Sequence, residues 1–231
     1  MPTRIGAVFA LALLFAGPAR AQRSPDLTAY LMDDRSAEVA LARTAAPRNV
    51  SDSAAVLVLT RTGYVEAVRG TNGFTCAVLR SFLGPIGDPG SWNPRVRAPH
   101  CFNPPATRTM LPVFKERAAW VLAGLSDSAI GTRVRRAYAR HQLPMPAAGA
   151  MAYMMSHEQH LQDAAPENWM PHVMFYYAAS QRAATWGAGD FSAPVIDVSG
   201  KDPYSPVLTI AIPVRQWSDG TPALPGATHQ E

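Results

Sequence analysis

The chain has 231 residues, 48% of them hydrophobic and 16% charged, with a formal net charge of +4 at pH 7. Arg4 and Arg20 sit in the first 21 residues, and the remaining 210 hold 19 basic residues against 17 acidic ones. That length is enough for one sizeable domain with a real core, and the near-neutral balance argues against a polyanion partner such as nucleic acid.

The N-terminus reads as a secretory signal peptide over residues 1–21. Arg4 supplies a positive start, "IGAVFALALLFAG" an apolar stretch too short for a comfortable membrane span, and "ARA" a small-residue cleavage site before Gln22. Residues 22–231 are then expected to form a single globular domain in the periplasm or outside the cell, and nothing in them is long and apolar enough to span a bilayer.

Residues 22–46 have helical character. Ser24 is placed as an N-cap with Pro25 at the first helical position, and Ser36 is expected to restart a second, alanine-rich turn that ends before Pro47. Three short β-rich runs follow, "AAVLVLTR", "GYVEAVRG" and "TNGFTCAVLRSF". Asn72-Gly73 is a strong hairpin signal, so the three are expected to form an antiparallel meander. Residues 84–112 hold seven prolines and three glycines, a composition that predicts neither a regular helix nor an inner strand.

Two central helices come next. "VFKERAAWVLAGL" presents Phe114, Val121, Leu122 and Leu125 near one side. Ser126 then caps a helix whose buried stripe is predicted as Ile130, Val134, Ala137, Tyr138 and His141. The runs "AMAYMMS", "HVMFYYA", "APVIDVS" and "VLTIAIPV" complete a predicted α+β fold with a mostly antiparallel sheet of about seven strands and with N-terminal and central helices.

Cys76 and Cys101 are the two cysteines of the chain. In an exported protein they are expected to pair as a disulfide that staples the proline-rich stretch onto the sheet.

The stretch "SHEQHLQDAAPENWMPH", residues 156–172, concentrates three of the six histidines. If the strands on either side pair as a hairpin, His157 and His172 come near one another, and a helical turn would add His160 on the same side. Imidazole ligands of this kind suit zinc, with Glu158 as a general base, and this carries the reading of a metal-dependent hydrolase. "HExH" is one residue short of the HExxH spacing that puts two histidines on one helix face. The plain alternative is a solvated polar loop.

Trp169, Trp186 and Trp217 lie in predicted loops or strand ends and Tyr176 in the strand after His172, where aromatic rings line small-ligand pockets or simply plug the core. Arg133, Arg136 and Arg140 share one helical face and, with Arg95 and Arg97, could form an anion patch or an ordinary solvated surface. The chain has no Gly-rich phosphate loop, no nucleophile elbow and no CxxC pair.

The segments "GTNGFTCAVLRSF", "SWNPRVRAPHCFNPPATRTMLP", "AMAYMMS", "NWMPHVMFYY" and "QWSDGT" resemble those of a group of uncharacterised bacterial exported proteins, over about residues 50–220. The resemblance implies bacterial export and a single unit, and it carries no activity. Two functional readings follow: a non-catalytic domain that binds a small ligand or an envelope component, and the zinc-type hydrolase of the histidine stretch.

Overall fold

The computed structural model describes residues 26–164, 169–200 and 202–223. The predicted signal peptide, Ser24 and Pro25 lie outside this range. A 3-10 turn over Leu27–Tyr30 is capped by the Asp26 carboxylate. Helix α1, Arg35–Arg43, starts on Asp34 and not on Ser36: the carboxylate accepts from the N–H groups of Ser36 and Ala37. An acidic cap both satisfies orphan donors and favours the positive end of the helix dipole. Helix α2 is Arg48–Ser51.

The strands β1 (Ala55–Thr60), β2 (Gly63–Val68), β3 (Thr75–Leu79) and β4 (Ala98–Phe102) come next. Helices α3 (Pro104–Thr109), α4 (Leu111–Leu122) and α5 (Asp127–Ala139) follow. The strands β5 (Met151–Met154), β6 (His172–Ala178), β7 (Ile196–Asp197) and β8 (Val207–Pro213) complete the order. All eight strands belong to one sheet, ordered β2-β1-β3-β4-β5-β6-β8-β7, which is the expected α+β architecture with one strand more than predicted.

The meander is corrected. β1 and β2 close as a hairpin with Thr60 opposite Gly63, but β3 lies parallel to β1 on its other side. Asn72-Gly73 turns the chain without pairing β3 to β2. Asn72 braces the turn by donating to the Val50 carbonyl and accepting from Phe74 N–H, and Gly73 takes a positive φ of 78°. A turn signal specifies a local reversal; it does not say which sheet edge the next strand joins.

The proline-rich stretch is corrected as well. Cys101 lies on β4, an inner strand between β3 and β5, and Pro104–Thr109 is helical. Pro99 fits inside β4 because of where its missing N–H would point. Arg97 and Asn103 turn their N–H groups to the β5 side, to His160 and Met151, and Pro99 shares their parity. On that side β5 pairs only with Cys101 and Phe102, so no ladder bond is lost at Pro99. Cys76 stands directly opposite Cys101 in the β3–β4 register, and the two form a disulfide.

Helix α1 covers one sheet face through Ala42, with Ala45 and Ala46 just beyond it, against Val56, Cys76, Val78 and Cys101. Small side chains let the helix backbone lie close to the strands. Helices α4 and α5 cover the other face, where Val121 and Ile130 pack in the same core as Leu57, Leu79 and Phe102. His141 is not part of the buried stripe: it is exposed, with a positive φ of 55° just past the end of α5.

An ion pair joins α1 to the residue after β3. Glu38 and Arg80, with side chains 1% and 0% exposed, meet at 2.7 Å. Glu38 Oε1 also accepts from Leu59 N–H, while Arg80 donates to the carbonyls of Tyr30 and Val78. Every element around that corner of the sheet is therefore tied to one guanidinium.

Candidate ligand cavity

The face of the sheet beneath α4 and α5 is not completely filled. A cavity of about 480 Å³ lies between strands, helices and two loops, a size within the usual range for small-molecule sites. Its floor is made by residues of β4, β6 and β8, among them Ala98, His100, Met174, Tyr176 and Thr209. Alternate positions on these strands point to the same face, so a two-residue period delivers them together. Helix α4 contributes Val113, Phe114 and Arg117, and α5 contributes Tyr138.

The rim is clasped by the loops around Pro85 and Asp202. Asp202 accepts from the N–H groups of Ile86 and Tyr204 and so links the two loops. Gly200 faces Pro85 so closely that a Cβ would stand 2.6 Å from its ring, and its φ is +64°. Tyr204 lies on Gly131 of α5, where a Cβ would come within 2.7 Å of the ring, and Arg135 stacks on the same ring at 5.0 Å. Glycine at 131 and 200 is thus required by close approach, and the loops are seated on α5.

Two buried histidines sit on this side of the sheet. His100 Nδ1 lies 2.8 Å from the Ala98 carbonyl, and His172 Nδ1 lies 2.8 Å from the Met170 carbonyl. A carbonyl only accepts, so Nδ1 carries the proton in each neutral ring and Nε2 is a bare acceptor. His172 Nε2 is buried with no hydrogen-bond partner. Met154 pairs with His172 across the β5–β6 ladder, and the two imidazoles are near enough to interact electrostatically. His100 also stacks on Phe102 at 5.8 Å.

Burial pushes the His100 imidazole down to about 4, against the pull of the Ala98 carbonyl, with a smaller contribution from His172; burial lowers His172 too. Each group is held neutral in the folded chain, while the unfolded chain protonates near the ordinary histidine value of about 6.5. The unfolded state therefore binds more protons as pH falls below that value. Folding stability is expected to be full above about pH 6.5 and to decline toward pH 4, by about 1 kcal/mol per pH unit from His100, with His172 acting in the same direction. Urea unfolding at pH 7, 6, 5 and 4 measures this, and His172→Phe should flatten the slope. An unchanged slope in that variant would contradict the assignment.

The residues of the histidine-rich stretch go to separate places. His157 is exposed, stacked on Trp217 at 4.0 Å and bonded to Thr221. His160 bridges to Arg97 through the main chain and bonds Asp163 through its ring. His172 is in the core. Glu158 is exposed on the loop, its N–H bonded to Ser156. Among the described residues no three His, Cys, Asp or Glu side chains are grouped to hold a metal ion. The loop is held instead by Arg95, which meets Asp163 at 2.7 Å. Arg95, then Asn93 and His160, hold the Asp163 carboxyl well below the usual carboxylate range.

Of the aromatic candidates, Trp169 and Tyr176 line the cavity, whereas Trp186 is exposed and packs on Tyr177 at 4.3 Å. Adjacent strand residues point to opposite faces, which explains why Tyr176 and Tyr177 part company. Arg133 and Arg136 on α5 and Arg140 just after it are exposed, whereas Arg95 and Arg97 are engaged with Asp163 and with the carbonyls of Pro94 and Val96. Sequence reasoning missed Arg117, Tyr138 and His100 as cavity residues. A basic residue amid the apolar positions of "VFKERAAWVL" was the available signal.

The polar groups of the cavity do not form a nucleophile–base pair among the described residues. Ser81, Ser91 and Ser199 donate their hydroxyl protons to the carbonyls of Asn93, Pro85 and Thr209. The arrangement suits binding: a mostly apolar lining, a rigid floor, and a few fixed polar groups. No helix of the described residues is long and apolar enough to cross a membrane. No protein-family model, curated protein or solved structure matches the chain, so its site stands on its own geometry.

Proposed function

We propose that this is an exported protein that binds a small, largely apolar ligand in the cavity beneath α4 and α5. The carrying observation is the cavity itself, about 480 Å³ of solvent-accessible space against the principal core, walled by Phe114, Met174, Tyr176 and Trp169. Water gains little against the apolar part of that lining, and a ligand of matching shape replaces it with buried apolar contact. The disulfide is consistent with an oxidising compartment.

The neutral fluorescent probe N-phenyl-1-naphthylamine tests this reading. It is expected to bind one per chain with a dissociation constant on the order of micromolar, as an apolar body of that size allows. Val207→Phe, which places a ring at the cavity wall, should weaken it at least about tenfold. Absence of binding, or equal binding to both proteins, would overturn the proposal.

A further inference from the structure

Arg117 is the least expected residue of the cavity wall. It is 7% exposed, on the buried side of α4, one turn beyond Phe114. Its Nη2 donates to the carbonyls of Gly84 and Phe82, and its Nε is buried without a partner. No described carboxylate stands within ion-pair distance. Asp202 and Asp127 are near enough to interact with its charge, but the Asp202 oxygens accept from Ile86 and Tyr204 N–H, and Asp127 faces Trp92 Nε1 at 3.4 Å.

Tyr138 lines the same wall, and its hydroxyl is also buried with no hydrogen-bond partner. Burial pushes the Tyr138 phenol up to about 12, so it stays a neutral donor across the physiological range. A guanidinium keeps its charge in any protein environment. Two buried donors without a partner, Arg117 Nε and the Tyr138 hydroxyl, therefore belong to side chains of one mostly apolar cavity wall, and leaving both unsatisfied is costly in such surroundings.

We infer that the ligand is an amphipathic organic acid, with its carboxylate at Arg117 and Tyr138 and its apolar body along Phe114 and Tyr176. The inference rests on the cavity being a ligand site. A carboxylate presents two acceptor oxygens, which matches a guanidinium edge and a phenol hydroxyl at once. A neutral alcohol could take one of these bonds and would leave the cation without a counter-charge. The two nearby aspartates limit the affinity; they do not replace the missing partner, because neither reaches the guanidinium.

The test is competition against bound N-phenyl-1-naphthylamine, with decanoate and decanol as a pair equal in chain length, on the full-length chain. Decanoate is expected to displace the probe at least about tenfold more effectively than decanol, from the charge-assisted bonds. Arg117→Met should bring the two within about twofold, read as the ratio of decanoate to decanol displacement in that variant. That variant removes the bonds to Gly84 and Phe82 as well, so Tyr138→Phe serves as a second one: it deletes a single unpartnered hydroxyl and should weaken decanoate about threefold or more, narrowing its advantage over decanol. Probe binding with equal displacement by the acid and the alcohol would overturn the carboxylate inference and leave the cavity reading intact. Failure of the probe to bind would overturn both.

Discussion

Glu38→Ala is expected to destabilise the fold by about 3–5 kcal/mol, the usual consequence of removing one partner from a buried ion pair. The Arg80 side chain has no exposed surface and Glu38 almost none, so solvent screens neither charge. Without Glu38 the guanidinium keeps only the carbonyls of Tyr30 and Val78, and Leu59 N–H loses its acceptor. Arg80→Met should cost a similar amount. The double variant Glu38→Met with Arg80→Met is expected to be more stable than either single one, because no lone charge remains in the core and well-packed apolar side chains fill the space. Urea unfolding of the four proteins closes the cycle. A loss below about 1 kcal/mol in both single variants would show that water reaches the pair.

Loss of the disulfide is the second large effect. Cys76 and Cys101 are fully buried, opposite each other on inner strands, and 25 residues apart in sequence. Joint replacement by alanine is expected to cost about 3 kcal/mol, mostly by freeing the unfolded chain. Because neither sulfur is exposed, reductant should act on the native protein only as fast as it opens. Both are measured directly, by urea midpoints of the double variant and by the rate of thiol release in dithiothreitol. Free thiols in protein isolated from an oxidising compartment, or rapid reduction without unfolding, would contradict the arrangement.

The two features differ in how visible they were beforehand. Two cysteines in a chain whose sequence reads as exported left one pairing, and pairing needed no knowledge of the strands. Glu38 and Arg80 gave no signal. Glu38 sits in a helix of ordinary composition, Arg80 follows a strand, and 42 residues separate them. Charged residues are rarely buried, so each alone reads as surface. Only the packing of α1 across β1 and β3 makes them partners.

The same division runs through the fold and the site. Local chemistry in the sequence determined the short apolar strands, the two central helices, the β5–β6 hairpin and the α+β class, because two-residue and 3.6-residue periods and cap residues act within a few positions. It misplaced β3 and missed β4, since strand choice depends on which edge is free and Pro99 is tolerated only where no neighbouring N–H acceptor waits. The histidine stretch looked chemical because the residues are near in sequence, yet β6 takes His172 into the core while Trp217 and Arg97 hold His157 and His160 elsewhere. The cavity was decided by tertiary structure alone. Arg117, Tyr138, His100 and Tyr176 come from four separate elements, and only the seating of α4 and α5 over the sheet sets them around one space.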